Sequence, residues 1–190
     1  MKIAPIVNQI LAECPSFKQV AGTISQELLE GVVSQKVLPA AYVVRLDEDA
    51  EIAEASEYGN EYHQELTEHF GVVVFLGNAD KRGQAAADQL DDLRAELFKA
   101  LCGWCPSECH DPIEYEGGTL QTLTRDRLIY FFEFKTTTTV TKEDTWQEVA
   151  YERLGTFDRV SVDVDTIDHD TGRPDGVIEA KLEIDLTNGA

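Results

Sequence analysis

The sequence predicts an α/β (α+β) fold: a mixed, mainly antiparallel sheet with helices packed on one face and a C-terminal β-hairpin extension. Residues 70–76 form an apolar, β-branched run, which is typical of a strand central to a sheet. A helix-period stripe follows at residues 86–101. Strand-type runs occupy residues 127–141, 160–164 and 177–186. Together these patterns favour one sheet with helices beside it.

Before the central strand, hydrophobic periodicity predicts two helices and two strands. The expected elements are a helix at residues 3–13, a short strand at 17–20, a short helix at 25–33 and a strand at 38–46. Pro5 is tolerated in the first helix because an N–H in the first turn has no intrahelical partner. Ser25 is expected to cap the second helix. The strand at 38–46 is expected to neighbour the central strand.

The next segment, residues 47–68, carries nine acidic residues and no lysine or arginine. Such a composition predicts an extended, solvated excursion rather than packed structure. The boundary between this excursion and the central strand stays open, since residues 62–67 also suit a strand.

After the central strand, a leucine stripe predicts a helix that lies on the sheet. Its other face is left for solvent or a partner and carries Asp88, Gln89, Asp92, Glu96 and Lys99. Paired glycines at 117–118 predict a turn with positive φ, and residues 127–141 predict the next strand. Residues 142–155 read as a polar connection. The last runs, 160–164 and 177–186, alternate as a hairpin with one apolar face, which is marginal in isolation.

Length and charge limit the classes of function. The 190 residues suffice for a single domain, expected at residues 1–155, with the hairpin extension at residues 156–190 joining the sheet or a neighbouring subunit. No apolar run approaches the roughly 20 residues of a membrane helix, and no signal peptide is predicted, so a cytoplasmic protein is expected. The formal net charge of −20 argues against tight nucleic-acid binding.

One loop contains candidate metal ligands. Cys102, Cys105, Cys109 and His110 offer enough soft donors for zinc. All four would have to come from nine consecutive residues, with no second Cys/His pair to close the site. We therefore predict reduced thiols in a loop packed by Trp104 and Pro106, and no metal or other cofactor.

Two other patterns that suggest metal chemistry are also set aside. His63 and Glu65 with Cys102 and Cys105 imitate a zinc deaminase signature, but the cysteines follow a helix instead of starting one. The acidic run at residues 163–170 lacks the glycine and closing glutamate of a calcium loop, and its alternation indicates a solvated strand face. Enzyme function is accordingly not expected.

The order of several motifs resembles a known family. Residues 70–75 form an F-x-V-x-V strand, residues 80–83 a D-x-R-G turn, residues 101–106 an L-x-G-W-x-P helix end, and residues 115–118 a Y-x-G-G motif before an aromatic strand. This order resembles the tail terminator (tail completion) proteins of long-tailed bacteriophages. The last residues also resemble the C-terminal hairpin of the myophage-like branch.

The resemblance implies a structural virion protein that assembles as a homohexameric ring and caps the tail tube. Its implied partners are itself, the tail tube protein, a head-side neck protein and, in contractile tails, the sheath protein. DNA would only pass through. A head-side neck protein of the same particle is the closest alternative, and a small zinc-binding domain is a more distant one.

In such a ring, some of the excess acidic residues could line the channel through which DNA passes. A basic channel wall would hold DNA phosphates, whereas a negative wall would let them pass. Candidate channel-lining or interface residues are Asp47, Glu48, Asp49, Glu51, Glu54 and Glu57, together with the exposed face of the helix at residues 86–101. Solubility of the free subunit is the simpler alternative, and the sequence does not choose between the two.

Overall fold

The computed structural model describes residues 1–23, 33–55, 62–78, 84–154, 159–165, 172–174 and 176–185. The chain divides into two compact units, Met1–Thr145 and Trp146–Ala190. The boundary expected between residues 155 and 156 and the helix expected at residues 25–33, apart from Val33, lie outside the described residues.

The first unit is built on a mixed sheet. Its strands are β1 (Gln19–Thr23), β2 (Ala40–Ala50), β3 (Glu54–Ala55), β4 (Tyr62–Gly77), β5 (Glu114–Leu123) and β6 (Arg127–Thr141). The main order is β1-β2-β4-β6-β5, with β3 also pairing with β4. Only β1 and β2 run parallel, and every other pair in this sheet is antiparallel. The predicted central strand is therefore confirmed as β4.

Two helices cover one face of this sheet, as predicted. They are α1 (Ile3–Glu13) and α2 (Gln84–Leu101). Ile6 and Ile10 of α1 and Leu93, Leu97 and Leu101 of α2 are buried in one core cluster. Phe70 of β4 and Phe134 of β6 stack in this cluster with ring centroids 5.4 Å apart. The helical stripes therefore match the packed residues, except that Leu11, which the period of α1 would also bury, is 54% exposed.

A smaller apolar cluster lies on the opposite face of the sheet. It contains Tyr42, Val73, Phe75 and Ile129, with Val33 and Leu38 from the segment that precedes β2. Tyr42 and Phe75 meet edge to face, with centroids 5.8 Å apart. Burial on both faces explains why residues 72–76 read as a continuous apolar run.

The acidic segment is not the solvated excursion that its composition suggested. β2 continues to Ala50 and β4 begins at Tyr62, so both ends of the segment pair as antiparallel strands. Glu48 lies opposite Glu68, after a register shift between Arg45 and Glu48. The prediction was wrong at the two ends of the segment, where β2 and β4 pair and β6 supports the start of β4. Residues 51–53 are exposed and outside any strand, and residues 56–61 lie outside the described residues.

Three shorter predictions are also corrected. Gly117 and Gly118 lie inside β5 and lack positive φ; a Cβ at Gly118 would meet the Tyr130 ring at 2.5 Å, so close packing requires glycine here. The first strand starts at Gln19 instead of residue 17. The connection at residues 142–155 contains a short 3-10 helix and α3 (Trp146–Glu152).

The second unit contains α3 and the predicted hairpin. Its strands β7 (Arg159–Val164) and β8 (Ala180–Asp185) pair antiparallel with Val162 opposite Leu182. Every residue of both strands is exposed. Among the described residues of the whole chain, none of the helices combines the length and apolar composition that a bilayer crossing requires.

Candidate functional site

The N-terminal half of β4 carries polar clusters on both sheet faces, beyond the apolar core. On the helix side, Glu68 is only 4% exposed. Its carboxylate accepts hydrogen bonds from the Met1 ammonium, from Arg45 Nη2 at 3.3 Å and from His110 Nε2 at 2.9 Å. Ser107 Oγ lies 2.7 Å from the other ring nitrogen of His110. Glu68 thus joins the N-terminus ahead of α1, β2 and the loop after α2.

This arrangement keeps Glu68 ionised. Burial by itself would raise the pKa of the Glu68 carboxyl, but the hydrogen bonds and charges of the Met1 ammonium and His110 outweigh burial, so the pKa is lowered from its ordinary value. A buried carboxylate with three donors is a structural anchor, because its charge is neutralised and its oxygens are bonded.

On the opposite face, His69 lies between two carboxylates. Its Nδ1 is 2.7 Å from Glu116 Oε2, and its Nε2 is 3.3 Å from Asp49 Oδ2. One ligand atom each from His69, Glu116 and Glu133 lies within 4.8 Å of the others. Lys135 Nζ approaches Glu116 at 3.6 Å and already supplies positive charge there. The cluster is therefore arranged as an ion-pair network across β2, β4, β5 and β6.

The predicted channel residues lie near these clusters. Asp47, Glu48 and Asp49 occupy the end of β2, Glu51 follows it, and all four side chains are exposed. Glu48 accepts a hydrogen bond from Arg45 at 2.6 Å. Glu54 lies in β3, and Glu57 lies outside the described residues. The structure thus collects four of the six acidic candidates at one end of the sheet.

The cysteine loop does not assemble the ligand set that its sequence offered. Cys102, Cys105 and Cys109 are free and exposed, and His110 is engaged with Glu68 and Ser107. Trp104 packs partly buried against the main core. The remaining cysteine, Cys14, is buried, and burial together with Glu96 and Glu13 raises its pKa to about 12.

The residues of the deaminase-like and calcium-like patterns lie in the kinds of element that the sequence predicted for them. His63 lies in β4, and Cys102 follows the last residue of α2. Asp163 lies in the exposed β7, and Asp165 Oδ2 accepts the Gly176 N–H at 3.0 Å within the hairpin. Asp168 and Asp170 lie outside the described residues.

Exposed surfaces are the other candidates for function. On α2, Asp88, Gln89, Asp92 and Lys99 are exposed as predicted, whereas Glu96 is half-buried and accepts a hydrogen bond from Ser16 Oγ at 2.5 Å. Leu120 and Leu123 of β5 and the valines of β7 expose apolar side chains. Such exposed apolar patches mark contact surfaces.

Local sequence patterns did not predict the Glu68 and His69 clusters. His69 and Glu116 lie 47 positions apart in the sequence, and Glu68 and His110 lie 42 positions apart. Only strand register brings them together, and composition alone does not distinguish one acidic residue of the segment from another. The histidines among carboxylates were the one available signal.

Comparison with known proteins gives the family. The model of the phage tail terminator protein family matches residues 1–145. A search of the curated proteins finds no significant match. Members of this family are structural proteins of the phage tail and interact with other tail components in the virion. The fold class, the order of motifs and this match agree: the chain belongs to the phage tail terminator protein family.

Proposed function

We propose that this protein caps the tail tube as a ring of six subunits, ends tube polymerisation and forms the tail-side surface for joining to the head. The family match carries the proposal, because it spans residues 1–145 and coincides with the first compact unit of the structure. The family match thus covers the whole unit of sheet and helices, and not a fragment of it. Assembly would take place in the host cytoplasm, and the ring would sit at the head-proximal end of the tail.

The ring follows from the kind of contact that a tube end requires. Identical subunits that meet through two different surfaces form either a closed ring or an open filament. A cap must close, since an open assembly would continue to grow. In a contractile tail, the same ring would also meet the last ring of sheath protein.

We propose further that the acidic end of β2 faces the DNA channel. Asp47 and Glu51 reach the surface, and neither side chain makes an ion pair within the described part of the chain. A wall of such carboxylates would repel DNA phosphates and let the genome pass without retention. The exposed face of α2 is the second candidate for the wall.

Tail length tests the capping role. Phage particles produced without this protein should contain tubes of variable and excessive length, and supplying the wild-type chain should restore a uniform length. Tails of normal length that fail to join heads would instead identify a head-side neck protein. Electron microscopy of purified tails measures both outcomes.

Metal content separates the remaining alternative. If the cysteine loop formed a small zinc-binding domain, protein purified without added metal would contain one zinc per chain and would unfold on chelation. A structural tail protein should contain far less than one zinc per chain and keep its circular dichroism spectrum with chelator.

A further inference from the structure

We propose that the C-terminal hairpin of one subunit adds as an extra strand to the free edge of β5 in the next subunit. The inference rests on the proposed ring and names the contact that closes it. It commits to a second copy of this chain as the occupant of the β5 edge.

The hairpin has an apolar face without cover. Val160, Val162 and Val164 of β7 lie opposite Ile184, Leu182 and Ala180 of β8. The three valines are 38–44% exposed and Leu182 is 55% exposed. A two-stranded hairpin of this kind is marginally stable in water and gains stability when its apolar face is buried.

The edge of β5 offers a matching surface. Within the described residues β5 pairs with β6 alone, so its other edge presents unpaired backbone N–H and C=O groups. Residues 118–123 contain no charge and match the six-residue length of β7 and of β8. Leu120 and Leu123 lie opposite Tyr130 and Leu128 of β6, which belong to the core on the helix side of the sheet. Added strands would thus continue both the hydrogen-bond ladder and the apolar surface.

Charge also favours this place. β5 ends beside Arg125 and Arg127, for which the structure gives no ion pair with another described residue. The described hairpin residues are acidic overall, with five acidic residues, Asp163, Asp165, Glu179, Glu183 and Asp185, against three basic ones, Arg159, Arg173 and Lys181. In a chain with a net charge of −20, most surfaces repel a second copy. The β5 edge carries no charge at residues 118–123, and the turn beside it, Arg125-Asp126-Arg127, has a net positive charge, so this surface does not repel an acidic hairpin.

The contact is head to tail, because the edge and the hairpin are different surfaces of the same chain. Such a heterologous contact repeats from subunit to subunit and generates a ring when the rotation closes. The first unit contains the part of the chain that matches the family, and the hairpin of the second unit makes the contact with the next copy.

Paired substitutions in the full chain test the proposal, with the phage's tube protein present. Val162→Asp places a carboxylate on the apolar hairpin face and Leu120→Asp places one beside the β5 edge. Each should weaken ring assembly about tenfold or more, because a charge would be buried without a partner. Ser161→Asp, on the polar hairpin face, adds the same charge and should assemble as wild type. Native mass spectrometry counts subunits per tube end.

Mixing the variants separates loss of this contact from a general loss of folding. An equimolar mixture of Val162→Asp and Leu120→Asp retains one intact edge and one intact hairpin, so its subunits should pair where neither variant alone does. Wild-type rings together with unimpaired Val162→Asp rings would overturn the inference and leave the capping role intact. Absence of wild-type rings would instead count against the proposed function.

Hydrogen exchange distinguishes a contact between chains from one within a chain. Amides of residues 118–123 and 160–164 should gain protection as wild-type protein assembles. Equal protection in dilute monomer would show that the hairpin folds onto its own β5, and this result would contradict the proposal.

Discussion

Gly71 shows how one residue permits the packing of the sheet's second face. A Cβ at this position would lie 2.2 Å from Phe131 Cε2 and 3.1 Å from Val44 Cγ1. Gly71 lies in β4 directly opposite Glu133, so it belongs to the paired part of the central strand. Its missing side chain is the space that the Phe131 ring occupies.

Gly71→Ala should therefore destabilise the protein by about 1–3 kcal/mol, because the Phe131 ring must leave its position. Gly117→Ala is the matched control, since nothing lies within 4 Å of the added Cβ. We expect this control to change the free energy of unfolding by no more than about 0.5 kcal/mol. Urea unfolding measures both. Equal stability of the two variants would mean that the ring moves without cost.

Glu68 supplies a second prediction at this scale. The Glu68 carboxylate is buried and accepts three hydrogen bonds. Replacing it by an amide in Glu68→Gln should therefore lower the free energy of unfolding by about 1–3 kcal/mol at pH 7. Glu48→Gln removes an exposed carboxylate that, within the described residues, is bonded only to Arg45, so it should cost less than about 1 kcal/mol. Urea unfolding of the two variants at pH 7 measures the difference.

The pH dependence of stability tests the same residue. Because the pKa of folded Glu68 is lowered, its contribution is present above the unfolded carboxyl pKa of about 4.3 and is lost as pH falls through the lower folded pKa. Wild-type stability should fall more steeply below about pH 4.3 than that of Glu68→Gln. Parallel curves would show that Glu68 has no special role.

At the scale of elements, periodicity was sufficient where one face packs. The α1 and α2 stripes, the apolar run of β4 and the aromatic β6 were predicted because buried side chains repeat with the period of the element. The polar end of β2 was not predicted, and the start of β4 was left open, because the stability of both comes from pairing across the sheet and not from apolar side chains.

The errors at the paired glycines and in the acidic segment have a common cause. Both predictions assigned a local conformation from composition, whereas the conformation is set by a neighbouring strand: Tyr130 lies beside Gly118, and the threonines of β6 lie beside residues 65–68. For the same reason the Glu68 and His69 clusters, which depend on register, could not be predicted from local patterns.

The division into two units predicts that the first folds alone. A chain ending at Thr145 keeps both core clusters and the whole family match. We expect a single cooperative thermal transition with a Tm within about 4 °C of the full chain, which corresponds to about 1–2 kcal/mol. Loss of cooperativity would mean that the second unit completes the core.

At the scale of the whole molecule, the net charge of −20 dominates the surface. The structure concentrates part of this charge at the end of β2, where Asp47 and Glu51 reach the surface, and part on α2, where Asp88 and Asp92 are exposed. Both places are candidates for the proposed channel wall.

Charge reversal distinguishes the two surfaces. Asp47→Lys with Glu51→Lys should leave thermal stability unchanged, since surface substitutions shift it by about 0.5 kcal/mol or less. The pair should nevertheless slow DNA exit and reduce infectivity, because lysines in a channel wall would hold phosphates. Asp88→Lys with Asp92→Lys gives the same charge change and should have the smaller effect. Normal infectivity of the first pair would remove the end of β2 from the wall.

The central claim is that the chain closes into a ring on the tube, and the number of bound subunits measures it directly. Native mass spectrometry of the purified protein with tube protein from the same phage should detect six copies per tube end. A persistent dimer, or a tube end that binds no copy of this chain, would contradict the account.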